Sequence, residues 1–581
     1  MLTSYSLLFP YLKQYKFNYL FGVISLTITS IGQLFIPFFI RQVIDLITQQ
    51  SFEMSQITHL LGLMVLSALV VVIGRLGWRF WLHGAARKIE ANIRTDLFHK
   101  YLLLGENFYQ KQKIGDLLAR GTNDLQAVRM ASSMGLVAFF DGLFMTIAIL
   151  IILFRQNAST TFLIILPLPI VTLLVLGLGK VIGKLFKQVQ EGFSTLSQQS
   201  QEVFSNVKIV KSFVLESYFL NKFGESNDQY QMRNLQLVQI WGLLFPVVGF
   251  LGGITTVLLL IFGGRDVILG QLTPGEFVAT LSYLQMLIWP MLGAGFTVNL
   301  IQRGAASLSR IKEIMDQENE FTDPLPSFCP DRLTASLEFQ QVGFHYDAEK
   351  SILKNITLSL PKGKLIGILG PTGSGKTTLL KLLLRFQKPT EGVIVFDGKD
   401  ISTFNPIRYR KLFGYISQDT FLFSDTIKNN ISFAKQDASL TEIESFVKLS
   451  ALESDLAQFP KGLETEIGER GITVSGGQKQ RITIARALIT QPEILLIDDG
   501  LSALDSKTEE AILDAILRNR AGKTTMLISH RVSALKHSDI IYVIEDGQIT
   551  TKGTHEDLIE QTGFYQDIFQ LQKAENQEIE S

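Results

Sequence analysis

LIGILGPTGSGKTTLLKLLLRF, residues 365–386, decides the fold of the second half of this chain. An apolar five-residue stretch passes through a glycine turn into a helical run. Gly370, Pro371, Thr372, Gly373, Ser374, Gly375, Lys376 and Thr377 fit the pattern G-x-x-x-x-G-K-[ST], and strand, turn and helix are the context it requires. Glycines let backbone N–H groups approach phosphate oxygens closely, and the start of the helix adds partial positive charge. The stretch therefore predicts a nucleotide site in which Lys376 reaches the β and γ phosphates. Thr377 offers its hydroxyl to Mg2+, and Thr378 completes the loop.

Two later segments extend the reading. ILLID, 494–498, is an apolar strand ending in Asp498, a carboxylate suited to holding Mg2+ through water. VSGGQ, 474–478, places Ser475, Gly476, Gly477 and Gln478 at the start of a helix, a second anion-binding N-terminus. Two such termini on one domain face different directions. Head-to-tail pairing of two domains, each glycine loop covered by the other's SGGQ, reconciles them.

At 581 residues the chain exceeds one ordinary domain. Its charge is balanced, with pI near 7.1, so nothing predicts nucleic-acid binding, while the mean hydropathy of +0.24 is high. Cys329 is the single cysteine, so no internal disulfide can form, and it is read as an inert linker residue. No secretory signal or transit segment is read at the N-terminus.

The apolar residues gather in the first half. Six stretches, 17–40, 57–82, 134–154, 160–183, 241–263 and 276–300, have the roughly 20 residues that a membrane-spanning helix needs. The 83–133 and 184–240 loops are rich in Lys and Arg, whereas the opposite loops carry only Arg41, Arg155 and Arg265. This bias predicts that both long loops and both termini are cytoplasmic. The long loops are expected to continue the spans as helices, reversing near Gly115–Asp116 and near Val207–Lys211. Tyr5–Phe17 is expected to be an interfacial helix. Arg75, Arg79 and Asp141 are intramembrane charges, and Trp241, Phe245, Tyr283 and Trp289 are candidates to line a cavity. Pro and polar residues at 316–335 mark a linker, after which strands and helices alternate.

With these motifs in hand, the chain resembles ATP-binding-cassette transporters, specifically exporter half-transporters, over nearly its whole length. The resemblance implies an all-α six-helix transmembrane domain, 1–315, followed after the linker by an α/β cassette domain, 336–572, and a tail, 573–581. It implies that Tyr346 stacks on adenine and that Gln418 links Mg2+ and the γ-phosphate to the membrane domain. It implies further that Thr465–Gly471 contacts the long loops, that Ser502–Asp505 forms a cross-dimer loop, and that His530 is the switch histidine at the γ-phosphate. NFYQKQKIGDLLARGTNDL and EVFSNVKIVKSFVLE resemble coupling loops. ATP and Mg2+ are the implied cofactors. The activity is ATPase-driven export of hydrophobic or amphipathic compounds such as drugs or lipids, from a bacterial cytoplasmic membrane.

One position departs from the family. A glutamate that polarises the attacking water usually follows the strand-end aspartate; here Asp499 stands there. One methylene less sets the carboxylate back by on the order of 1 Å, and such misplacement can cost about 10²-fold in rate. The departure implies a degenerate ATP site and a different half-transporter as partner, one that carries the glutamate. A homodimeric drug or lipid flippase and an ATP-gated channel or regulator are the alternatives.

Overall fold

The computed structural model describes residues 4–48, 53–321, 326, 328–346, 351–468 and 474–580. They form two compact units. One comprises Met1–Leu104 and Gln112–Glu318, the other Gly105–Lys111 and Asn319–Ser581.

The first unit is helical. Six continuous helices, Lys16–Thr48, Met54–Leu103, Ile114–Gln156, Ala158–Ser205, Glu216–Ile268 and Pro274–Met315, are long and apolar enough to cross a membrane. Only 17–29% of each apolar window is buried. A helix that is apolar all round yet mostly uncovered is matched to lipid rather than to water. Each expected span falls within one of these helices, and the long loops do continue them. At 1.5 Å per residue the 50-residue second helix is roughly 75 Å long, against about 30 Å of hydrocarbon.

The first reversal lies elsewhere than expected. Leu104 is extended, a short helix occupies Glu106–Lys111, and Lys113 is extended before the third helix begins at Ile114. Gly115 and Asp116 therefore sit in the first turn of that helix, where an acidic residue complements the dipole. The second reversal, a short helix at Val207–Ser212, is where it was expected. The N-terminal stretch forms a 3-10 turn, Ser4–Leu7, and a helix, Phe9–Gln14.

Small residues let the first two spans close on each other, as is usual for helices in lipid. A Cβ on Gly22 would stand 2.4 Å from Leu82, and one on Gly74 would stand 2.4 Å from the Thr29 hydroxyl. Ser67 donates to the Gly32 carbonyl at 2.7 Å. Asp141 accepts from Ser30 at 2.7 Å, so this intramembrane carboxylate ties the first span to the third. Tyr283 is buried and donates to the Leu34 carbonyl, whereas Trp241 and Trp289 are exposed. Arg75 and Arg79 are exposed too, Arg79 lying over the Trp78 ring. The side chain of Phe245 lies outside the described residues.

The second unit is α/β. A four-stranded antiparallel sheet has the order Ser351–Pro361, Ser336–His345, Glu391–Phe396, Lys399–Asp400. A six-stranded sheet has the order Gln548–Gly553, Ile540–Glu545, Leu365–Leu369, Thr524–Ile528, Ile494–Asp498, Phe413–Ile416, antiparallel only at its first strand. Leu365–Leu369, Ile494–Asp498 and Thr524–Ile528 are buried at every position, as near-continuous apolar runs in a covered parallel sheet should be. Leu365–Leu369 and Ile494–Asp498 flank Thr524–Ile528 in parallel, so the glycine loop, Asp498 and Ser529–His530 leave the same sheet edge. Ligands bind at that edge in open α/β sheets. Cys329 is buried against this unit's core, and burial pushes its thiol up, in keeping with an inert residue.

Candidate nucleotide site

The glycine loop has the backbone its motif requires. Gly373 and Gly375 have φ of 83° and 101°, a region that side-chain-bearing residues rarely enter. A Cβ on Gly370 would stand 2.2 Å from the Ile544 carbonyl oxygen. The helix Lys376–Leu383 starts directly after Gly375. Lys376 is buried and curls back, donating to the carbonyls of Gly370 at 2.8 Å and Pro371 at 2.9 Å. Burial lowers its pKa, while Asp498 and Asp499 act in the opposite sense. Ser374 is buried, and its hydroxyl has no hydrogen-bond partner among the described residues. A cationic side chain held over a glycine cradle, beside an unpartnered buried hydroxyl, suits a phosphate chain.

Asp498 is 2% exposed. Its two carboxylate oxygens lie 3.4 Å from the Thr377 hydroxyl and 3.5 Å from the Tyr415 hydroxyl. Both contacts are long, and a hydroxyl–carboxylate pair with this spacing suits a hard, oxygen-preferring cation such as Mg2+. Burial, more than the neighbouring Asp499, raises the pKa of Asp498. The folded carboxyl thus holds its proton more tightly than the unfolded one, so stability falls as pH rises above the ordinary carboxylate value near 4. Asp498→Asn should therefore raise the melting temperature of the nucleotide-free protein at neutral pH, with the gain fading as pH falls toward about 4. Thermal melts across pH check this.

Asp499 has φ of 48° and donates its backbone N–H to Ile528. Its carboxylate takes no hydrogen bond among the described residues and lies within electrostatic reach of Lys376, Asp498 and Glu509. It is half-buried and uncommitted. Gln418 is exposed and makes no hydrogen bond to Thr377 or Asp498 among the described residues. Tyr346 sets its ring edge-on to Phe344 and brings its hydroxyl within 3.4 Å of the Thr378 hydroxyl.

Ser475 caps the helix Gly476–Leu488 in a reciprocal capping box with Gln478. Gln478 also donates to Asp455 at 3.2 Å, and Arg481 pairs with the same carboxylate at 3.0 Å. Ser475 and Gly476 face solvent. Among the described residues no hydrogen bond joins Ser475–Gln478 to Gly370–Thr378, so within one chain these are separate sites. Of the stretch Thr465–Gly471, residues 469–471 lie outside the described residues.

His530 is fixed by residues that no local pattern marks. The carboxamide of Gln572, on the C-terminal helix Phe564–Glu580, donates to the His530 carbonyl at 2.8 Å and accepts from the Val532 N–H at 2.9 Å. Arg531 pairs with buried Glu509 at 2.5 Å and donates to the carbonyls of Ser502 and Leu504. Burial raises the Glu509 pKa against the pull of Arg531. The Ser502–Asp505 loop and the His530 turn are therefore one hydrogen-bonded body.

Residues 19–291 match the family described as ABC transporter transmembrane region, and residues 353–502 the family described as ABC transporter. The chain is 37% identical to the "Probable multidrug resistance ABC transporter ATP-binding/permease protein YheI" of Bacillus subtilis (strain 168), over 97% of this chain and 96% of that one. It is 31% identical to the "ATP-dependent lipid A-core flippase" of Syntrophus aciditrophicus (strain SB), over 84% of this chain and 81% of that one. The solved "Structure of a bacterial Atm1-family ABC exporter with ATP bound" superposes with a TM-score of 0.79 at 25% identity, over 96% of this chain and 99% of that one.

Proposed function

The chain belongs to the ABC transporters, as an integral membrane exporter whose ATP-binding domain drives transport, and from that premise we propose that it is the slow-hydrolysing half of a heterodimer. The observation that carries this reading is the uncommitted, shortened carboxylate of Asp499 beside Lys376. In this reading the loop Gly370–Thr378 binds ATP, Tyr346 faces the adenine, and the partner's serine–glycine turn closes over the γ-phosphate. Thr377, Asp498 and Gln418 would hold Mg2+, which supplies charge neutralisation for phosphoryl transfer. Ser475, Gly476, Gly477 and Gln478 of this chain complete the partner's pocket, where a glutamate activates water. Closure of the two cassettes moves the long loops and turns the cavity from one face of the membrane to the other. The apolar spans favour lipophilic or amphipathic cargo. The lysine- and arginine-rich loops favour an orientation with both termini in the cytoplasm, under a bacterial cytoplasmic membrane.

Co-purification tests the pairing. A distinct half-transporter with glutamate at the matching position should accompany the tagged chain at one-to-one stoichiometry; recovery of this chain only as pairs of itself would end the heterodimer reading. The likeness to a protein named as a lipid flippase favours one second reading, a homodimer moving lipid with reduced turnover.

His530 needs its backbone held if it is to meet the γ-phosphate. Gln572→Ala removes two hydrogen bonds that bracket Arg531. With a net worth of about 1 kcal/mol each, their loss should lower kcat at this chain's own pocket by up to about thirtyfold while leaving the KM for ATP unchanged. Steady-state kinetics separate the two parameters. An unchanged kcat would mean that the C-terminal helix has no part in holding the histidine.

A further inference from the structure

A cavity of about 610 Å³ opens between the first, third and sixth helices of the membrane unit, at the end remote from the long polar loops. That volume is within the usual range for small-molecule sites, about 300–1,000 Å³. Its chemistry is graded along the helices. Ile31 and Phe35 line it from the first helix, Ile152 from the third and Tyr283 from the sixth. Arg41, Arg155 and Glu276 close one end. Arg41 stands roughly 15 Å along its helix from Ile31, and Glu276 roughly 10 Å along its own from Tyr283. The first and third helices run toward this end and the sixth runs away from it, so all three charged groups cap an apolar interior.

The charges do not cancel. Arg41 pairs with Glu276 at 2.9 Å and approaches Asp45 at 3.6 Å. Glu276 also accepts from the Thr273 N–H, and Asp45 accepts from the Gly275 N–H at 2.8 Å. That network is complete without Arg155. Arg155 is exposed and has no counter-ion among the described residues. Of the three arginines flanking the short loops, on the side otherwise poor in basic residues, two converge on this cavity.

We propose that this cavity binds a phospholipid with a monoanionic headgroup, its phosphate on Arg155 and an acyl chain along Ile31, Phe35, Ile152 and Tyr283. An unpaired guanidinium above an apolar slot selects a negative head joined to a hydrocarbon tail. A zwitterionic head brings its own cation and gains less. The test needs no nucleotide, so its failure is distinguishable from failure of the transport reading.

Native mass spectrometry of the purified full-length protein in detergent tests this, with no nucleotide present and either dioleoylphosphatidylglycerol or dioleoylphosphatidylcholine titrated in. The expected result is one phosphatidylglycerol per copy of this chain that persists where phosphatidylcholine is stripped. Arg155→Gln should weaken that binding about tenfold, the worth of one charge-assisted contact. Ile152→Trp, which fills the slot and leaves Arg155 in place, should weaken it as much. Equal retention of both lipids would overturn the proposal. So would undiminished binding by Arg155→Gln, or loss with Arg155→Gln but not with Ile152→Trp, since a bare surface arginine would behave that way.

Discussion

Asp499→Glu should speed ATP hydrolysis by this chain's own site about a hundredfold, the rate lost to a misplacement on the order of 1 Å. Among the described residues the carboxylate of Asp499 accepts no hydrogen bond, so a longer side chain breaks none of them in reaching toward the γ-phosphate. The backbone argues the other way on stability. Asp499 has φ of 48°, and aspartate is enriched in that left-handed region, where its short side chain bonds locally. Glutamate there should lower the melting temperature slightly while raising turnover, a familiar trade between stability and activity. Phosphate release by the purified chain, beside a thermal melt, reads both. A hydrolysis rate that stays flat in Asp499→Glu, or a complex silenced by Asp499→Asn alone, would remove the basis for a degenerate site.

On the proposed heterodimer reading, the serine–glycine turn Ser475–Gln478 should show the opposite asymmetry. Ser475→Arg in this chain should lower turnover of the assembled transporter by about 10²-fold or more, comparable to removing a preorganised donor at a reacting oxygen. Binding of ATP by this chain should survive, because among the described residues Ser475 makes no hydrogen bond to Gly370–Thr378 of the same chain. Lys376→Ala should do the reverse: nucleotide is lost from this chain's pocket while the partner's glutamate keeps part of the turnover. Nucleotide binding and ATPase rate measured on the same preparations distinguish the two. Equal loss from both variants would mean two equivalent pockets.

The parts of this molecule that could be read in advance are those whose physics is local. Six apolar runs become six long helices because lipid demands internal hydrogen bonding of every backbone group. The glycine loop is readable because left-handed turns at Gly373 and Gly375 need glycine where it stands. Ser475 and Gln478 three residues on mark a helix start by themselves. What could not be read depends on distant segments meeting. Tyr415 reaches Asp498 from a neighbouring strand, and Gln572 grips the His530 turn from the C-terminal helix. Asp455 supports Gln478 and Arg481 from another helix. The first loop misled for a subtler reason. The reversal was expected near Gly115–Asp116, but those residues fit the first turn of a helix, and the break lies at Leu104 and Lys113.

The short helix Glu106–Lys111 belongs with the cassette although more than two hundred residues of membrane unit separate it from the rest. Glu106 pairs with Lys381 at 2.5 Å, and Asn107 accepts from Gln387, a buried side chain, at 2.6 Å. The nucleotide-binding body is thus discontinuous in the gene. Expressed by itself, 319–581 would leave Gln387 without its acceptor, a loss of about 1–3 kcal/mol for a buried donor. Supplying residues 105–111 as a synthetic peptide should restore part of that stability. A ribosome making this protein delivers one fragment of its engine early, and that fragment waits through most of translation for the remainder to emerge.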